Sequence, residues 1–187
     1  MEQQSNKKAS AMQVLFAGFG GQGVLFAGKF LAYLGLIGER QVSWLPSYGP
    51  EMRGGTANCS VILSDVPIGS PIVSEPDCLI AMNLPSFQKY QSKVKSGGVI
   101  ILDASLISGQ TLRSDLTVYS VPATQMAAEH GLEGLSNMIL LGKFLQACLP
   151  GESALMEKAL LKVVPAKKEH LLDANRTALS LGQSYEG

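Results

Sequence analysis

Two glycine-rich stretches carry the residues best suited to chemistry: Phe16-Ala17-Gly18-Phe19-Gly20-Gly21-Gln22-Gly23 and Tyr48-Gly49-Pro50-Glu51-Met52-Arg53-Gly54-Gly55. In the first, Gly18, Gly20 and Gly23 follow a G-x-G-x-x-G spacing, with Gly21 as an additional glycine. The apolar run Met12–Ala17 before it is of strand type, and the pattern from Gln22 onward is helical. Glycines admit positive φ and let the backbone approach a ligand with no Cβ in the way. The helix that follows aims its unpaired N–H groups and the positive end of its dipole at the same place. The predicted guest is an anion, a phosphate before others. The plain alternative is a turn that only lets helix and strand pack closely. The second stretch holds Glu51 and Arg53, the only charged residues between Arg40 and Asp65. With the phenol of Tyr48 alongside, and proline and glycine fixing the path of the chain, Tyr48, Glu51, Met52, Arg53 and Gly54 read as a loop that recognises a substrate or a partner subunit. Its plain alternative is an internal Glu51–Arg53 ion pair.

The elements that must position these residues follow from the apolar pattern. A first strand is predicted over about 13–17 and a first helix over about Gln22–Gly35, apolar nearly all round with Lys29 its only charge. Such a helix is buried on most sides. Strands follow at Gln41–Trp44, Thr56–Leu63, Cys78–Met82, Val99–Leu102 and Thr117–Ser120, with an edge hairpin over Asp65–Pro71. Helices are expected at Phe87–Lys95 with Ser86 as its cap, from Pro122 to Glu129, and over Met138–Cys148, Ser153–Val163 and Pro165–Leu181. The strand–helix–strand rhythm implies an α/β fold: one Rossmann-like, doubly wound, mostly parallel sheet with C-terminal helices. Residues 1–11 read as a flexible tail and 12–187 as a single domain. Ligands of such sheets gather outside the carboxyl ends of the strands. Gly18, Asn83 and Asp103 are placed at such ends, where Asn83 and Asp103 either meet a ligand or form turns and caps.

Composition narrows the function. Charged residues make up only 16% of the 187-residue chain, against 46% hydrophobic. That is less charge than a soluble monomer usually carries, which implies a surface partly covered by other subunits. A formal net charge of zero with no basic face excludes a nucleic-acid partner. Cys59, Cys78 and Cys148 are far apart in sequence and form no C-x-x-C, so no cluster or zinc signature is present; reduced cytoplasmic thiols are the expectation. The polar N-terminus lacks a signal-peptide layout. The apolar run Val14–Ile37 is explained by strand, turn and helix rather than by a membrane span. His130 and His170 sit in separate late segments with no nucleophile partner, so no catalytic residue is assigned to this chain.

Taken together, the chain resembles the gamma subunit of the 2-oxoacid:ferredoxin oxidoreductases. The resemblance rests on Gly18–Val24, on Tyr48–Gly55, and on the strand Ala57–Val61. It continues through Asp77 with Leu79–Asn83, Gly97–Asp103, and Asn137-Met138 opening a late helix. The Tyr-Gly-Pro-Glu-Met-Arg-Gly-Gly form is more similar to the 2-oxoglutarate and branched-chain 2-oxoacid (2-ketoisovalerate) members than to the indolepyruvate ones. The resemblance implies an accessory subunit, inactive alone. Its complex would convert a 2-oxoacid, coenzyme A and oxidised ferredoxin into acyl-CoA, CO2 and reduced ferredoxin. Thiamine diphosphate, Mg and iron–sulfur clusters would sit on partner alpha, beta and delta subunits, with ferredoxin reached through them. Coenzyme A is the implied ligand of this subunit, with Gly18, Gly20, Gly21, Gln22, Gly23, Asn83, Asp103 and Asn137 as its binding residues. Two other readings stand beside it. One is a stand-alone NAD(P)-binding oxidoreductase, which lacks an acid for the ribose near Trp44-Leu45-Pro46. The other is a scaffold that binds no ligand.

Overall fold

A computed structural model describes residues 11–47, 56–110 and 113–187. Its centre is a six-stranded sheet of order β2-β3-β1-β4-β5-β6. The strands are β1 (Ala11–Phe19), β2 (Gln41–Ser47), β3 (Thr56–Ser64), β4 (Cys78–Ala81), β5 (Val99–Asp103) and β6 (Thr117–Val121). β1 pairs in parallel with β4, β4 with β5 and β5 with β6. β3 runs against both β1 and β2. Five strands therefore point one way and β3 alone points back. The sheet is mostly parallel, as the strand–helix–strand rhythm implied, and its exception is β3, which no helix separates from β2 among the described residues.

Alternation along the strands builds two cores. Val14, Phe16, Val61, Ile80 and Ile101 face one side and are sealed by the large helical layer. Leu15, Ala17, Leu79, Ile100 and Leu102 face the other, against Phe87 and Tyr90. Helix α1 (Val24–Ile37) lies over β1, β2 and β3; α4 (Ser136–Cys148) lies over β4 and β5. α5 (Ser153–Val163) packs on α1, and α6 (Leu172–Ser184) on α4. The short α2 (Leu84–Tyr90) covers the second face, and α3 (Ala123–Glu129) follows β6.

Glycine sets the two closest approaches. A Cβ at Gly28 of α1 would collide with the Cys59 Sγ, and one at Gly35 would meet Leu63 Cδ2 at 2.5 Å, so α1 can settle directly on β3. Burial there pushes the Cys59 thiol up to about 12. Gly142 of α4 and Gly182 of α6 bring two main chains into contact: a Cβ at Gly182 would stand 2.8 Å from the carbonyl carbon of Ile139. Lys143, 4% exposed, extends from α4 to donate to the Tyr185 carbonyl at 2.8 Å, with the Tyr119 ring 4.7 Å away. A buried ammonium needs such partners.

Several expected boundaries move. The edge hairpin over Asp65–Pro71 is not formed: residues 65–77 contain no strand. The Ser64 hydroxyl instead closes a turn, donating to the Val66 carbonyl and accepting from its N–H, and Pro67 and Pro71 withhold ladder donors. Asn83, not Ser86, caps the helix after β4, and that helix ends at Tyr90 with a 3-10 turn over Gln91–Lys93. The last expected helix is divided into a 3-10 segment, Ala166–Leu171, and α6. Ala11, placed in the tail from sequence, opens β1 opposite Ser64. No helix among the described residues is long and apolar enough to cross a membrane.

Candidate functional site

The carboxyl ends of β1, β4, β5 and β6 share one edge of the sheet, and the glycine turn projects from it. β1 runs through Phe19, the turn occupies Gly20 to Gly23, and α1 starts at Val24. Two turn residues adopt conformations that favour glycine: Gly21 at φ 95° and Gly23 at φ 72°. Phe19, Gly20 and Gly21 are exposed, and a Cβ at Gly21 would meet nothing within 4 Å. Gly23 is the N-cap of α1 and supplies no side-chain cap, and the first turn of α1 contains no acid. The leading N–H groups of an α-helix have no partner within the helix. The turn therefore presents main-chain donors and a positive dipole end to an approaching anion.

Amide side chains brace this turn from behind. Gln22 folds inward: its Oε1 accepts from the Phe19 N–H at 2.6 Å and from Asn83 Nδ2 at 3.0 Å, and its Nε2 donates to the Met82 carbonyl at 3.0 Å. Asn83 in turn accepts from the Ser86 N–H at 2.9 Å and so caps α2. From the other side Asn137, in the first turn of α4, donates to the Gly23 carbonyl at 3.1 Å. Its Oδ1 is buried with no hydrogen-bond partner among the described residues. The turn is thus tied to β4, α2 and α4 at once. Gly18, too, is closely enclosed: a Cβ there would lie 2.8 Å from Gln22 Oε1 and 3.0 Å from Met82 Cβ.

The structure brings Gly18, Gly20, Gly21, Gln22, Gly23, Asn83 and Asn137 together. It places Asp103 apart, at the end of β5 and beyond β4. Asp103 is 1% exposed, and its Oδ2 accepts from the Thr124 hydroxyl at 2.6 Å while its Oδ1 accepts from the Ser105 and Thr124 N–H groups at 3.1 and 3.3 Å. These bonds hold the start of α3 to β5. Asp103→Ala should lower stability by about 1.5–3 kcal/mol, the range for hydrogen bonds to a charged group, read as a shifted midpoint in urea unfolding. A drop of a few tenths would show that α3 is held by packing instead.

Tyr48, Glu51, Met52, Arg53 and Gly54 lie outside the described residues. The residues flanking that loop are described. Ser47 ends β2, Thr56 opens β3, and Thr56 pairs with Phe19 at the edge that carries the turn. Sequence reasoning did not single out Lys168 and noted Lys29 only as a lone charge. Both line a groove of about 320 Å³ that opens beside Gly23 and is walled by Phe26, Leu135 and Val164. A single lysine on an otherwise apolar helix was the available signal for Lys29; nothing local distinguishes Lys168 from its neighbour Lys167.

This geometry defines an α/β domain with an exposed glycine turn at the carboxyl edge of its sheet. Its strand order departs from that of dinucleotide-binding folds, in which the strand after the first helix lies beside β1; here β3 separates β1 from β2. The chain belongs to the pyruvate ferredoxin/flavodoxin oxidoreductase family, whose model matches residues 13–185. It is 38% identical over 176 residues to the ketoisovalerate oxidoreductase subunit VorA of Methanothermobacter thermautotrophicus, covering 93% of this chain and 36% of that one. It is 33% identical over 186 residues to the 2-oxoglutarate synthase subunit KorC of Methanocaldococcus jannaschii, covering 97% of each. The gamma subunit of a keto/oxoacid ferredoxin oxidoreductase from Geobacter sulfurreducens has a similar structure, with TM-score 0.79, 28% identity, and coverage of 92% of this chain and 96% of that one. The chain spans only 36% of the length of the VorA relatives, but nearly all of this KorC. A 2-oxoglutarate:ferredoxin oxidoreductase from Magnetococcus marinus, solved with 2-oxoglutarate, coenzyme A and succinyl-CoA bound, shares the fold at TM-score 0.84 and 22% identity, over 93% of this chain and 30% of that one.

Proposed function

We propose that this chain is the gamma-type accessory subunit of a cytoplasmic 2-oxoacid:ferredoxin oxidoreductase of the 2-oxoglutarate or 2-ketoisovalerate type. The partner subunits carry thiamine diphosphate, Mg and the iron–sulfur clusters. This chain contributes assembly surface and part of the coenzyme A site. The observation that carries the reading is the glycine turn: exposed at Gly20 and Gly21, uncapped at the head of α1, and braced by Gln22 and Asn137. Coenzyme A is a polyphosphate with a long amide-bearing arm. The main-chain donors of the turn suit its phosphates, and Lys29 and Lys168 in the adjoining groove add positive charge. The match over 97% of the KorC subunit supports the accessory-subunit reading.

The test is co-purification of the complex and assay with individual 2-oxoacids, with ferredoxin reduction as the readout. Lys29→Ala in that complex should raise the KM for coenzyme A and leave the KM for the 2-oxoacid unchanged. Equal KM values for coenzyme A with and without the substitution would remove the groove from the reading.

Arg53 provides a second check. A guanidinium pairs bidentately with phosphate or carboxylate, and lysine does not copy that geometry. Arg53→Lys should therefore weaken assembly or coenzyme A binding nearly as much as Arg53→Ala, by about 2–5 kcal/mol, while the melting temperature of the free subunit moves little. A large loss of subunit stability with assembly and KM unchanged would make Arg53 an internal partner of Glu51.

A further inference from the structure

The opposite edge of the sheet, away from the glycine turn, holds two of the three cysteines. Cys78 is the first residue of β4 and is 2% exposed; Cys148 is the last residue of α4 and is half-buried. Both line one surface recess of about 240 Å³, together with Met12, Lys95 and Gly97. The two thiols are neighbours in this recess, and each shifts the ionisation of the other. Burial pushes the Cys78 thiol up, while the hydrogen bond from Cys78 holds the Cys148 thiol down. The pair thus has an accessible member, Cys148, and a buried member, Cys78, that open on the same recess. The third cysteine, Cys59, is fully buried under α1.

We propose that Cys78 and Cys148 form a reactive dithiol that closes to an intramolecular disulfide when a hydroperoxide enters the recess. The Cys148 thiolate attacks the peroxide, an S–O bond forms, the O–O bond breaks, and the departing alkoxide or hydroxide takes a proton from water. The Cys78 sulfur then attacks Cys148; the S–S bond forms, the S–O bond breaks, and the hydroxyl leaves as water with the Cys78 proton. In sum, two thiols and one hydroperoxide give one disulfide, one alcohol or water, and one further water; the thiols are oxidised and the peroxide is reduced. Attack by a thiolate and resolution by a neighbouring thiol is the ordinary course of such chemistry. The bridge would link the start of β4 to the end of α4, the helix whose first turn holds Asn137 against Gly23.

The experiment treats reduced protein with hydrogen peroxide, unfolds it in the presence of an alkylating agent, and counts the adducts by intact mass. The expected result is one alkyl group instead of three, carried by Cys59, with all three recovered after dithiothreitol. Proteolysis of the non-reduced sample should yield a linked pair of peptides containing Cys78 and Cys148. Cys78→Ala should stop the reaction at a Cys148 sulfenic acid that dimedone traps; Cys148→Ala should leave Cys78 reduced at the same dose. The proposal is overturned by three alkylatable thiols after peroxide, by a disulfide that includes Cys59 or joins two molecules, or by over-oxidation of Cys148 with Cys78 intact.

Discussion

Gly142→Ala should destabilise the protein by about 3 kcal/mol or more, the upper part of the range for over-packed interiors. A Cβ at Gly142 would collide with the Leu179 carbonyl oxygen and stand 3.0 Å from its carbon, and one at Gly182 would collide with the carbonyl of Ile139. The obstructing atoms are main chain, so no rotamer change relieves the clash and α6 must move off α4. The same displacement relieves both sites. Gly142→Ala and Gly182→Ala should accordingly be strongly non-additive, the second substitution costing much less than the first. Gly151→Ala, where nothing lies within 4 Å of the added carbon, is the control and should stay within about 0.5 kcal/mol. Urea unfolding followed by circular dichroism reads all four proteins. Simple additivity of the two large effects would mean that each glycine is needed for a separate reason.

The second large effect separates the two special glycines of the turn. Gly23→Ala should cost about 1–2 kcal/mol for the left-handed backbone, plus the displacement of Asn137, whose Cγ would lie 2.8 Å from the new carbon. Breaking the Asn137–Gly23 bond adds about 1 kcal/mol. Gly21→Ala incurs only the backbone cost, since its methyl would project into open space. If that space belongs to coenzyme A phosphate, Gly21→Ala should raise the KM for coenzyme A in the assembled complex about ten-fold, equivalent to about 1.4 kcal/mol, with the smaller loss of subunit stability. Gly23→Ala should damage stability more. A Gly21→Ala complex with an unchanged KM for coenzyme A would show that the turn serves helix packing and no ligand.

The turn itself was legible in the sequence because glycine spacing is a local signal, and so were β1, α1 and α4, whose apolar patterns are long. The direction of β3 was not: an alternating strand looks the same read either way, and its partners β1 and β2 are fixed by pairing, not by pattern. The work of Gln22 was also hidden. Its position in the motif suggested a ligand contact, yet its amide meets Met82 and Asn83, 60 and 61 residues away, and a contact over that distance leaves no local trace. Asn83 and Asp103 illustrate a related ambiguity. A polar residue at a strand end suits a ligand or a cap equally, and the geometry shows them capping α2 and holding α3. Lys143 was invisible as a buried charge because its partner is the Tyr185 carbonyl, 42 residues on.

The place of β1 between β3 and β4 bears on how the chain is made. β1 precedes both of its neighbours in the sequence, so during synthesis it emerges with two unsatisfied hydrogen-bonding edges and two apolar faces. It acquires its first ladder only when residues 56–64 appear, and its second only with residues 78–81. Pairings of such long sequence separation form slowly, and open strand edges invite association while they wait. Ribosome-bound chains ending before β3 should therefore be the species that chaperones hold most tightly, and release should coincide with completion of β4.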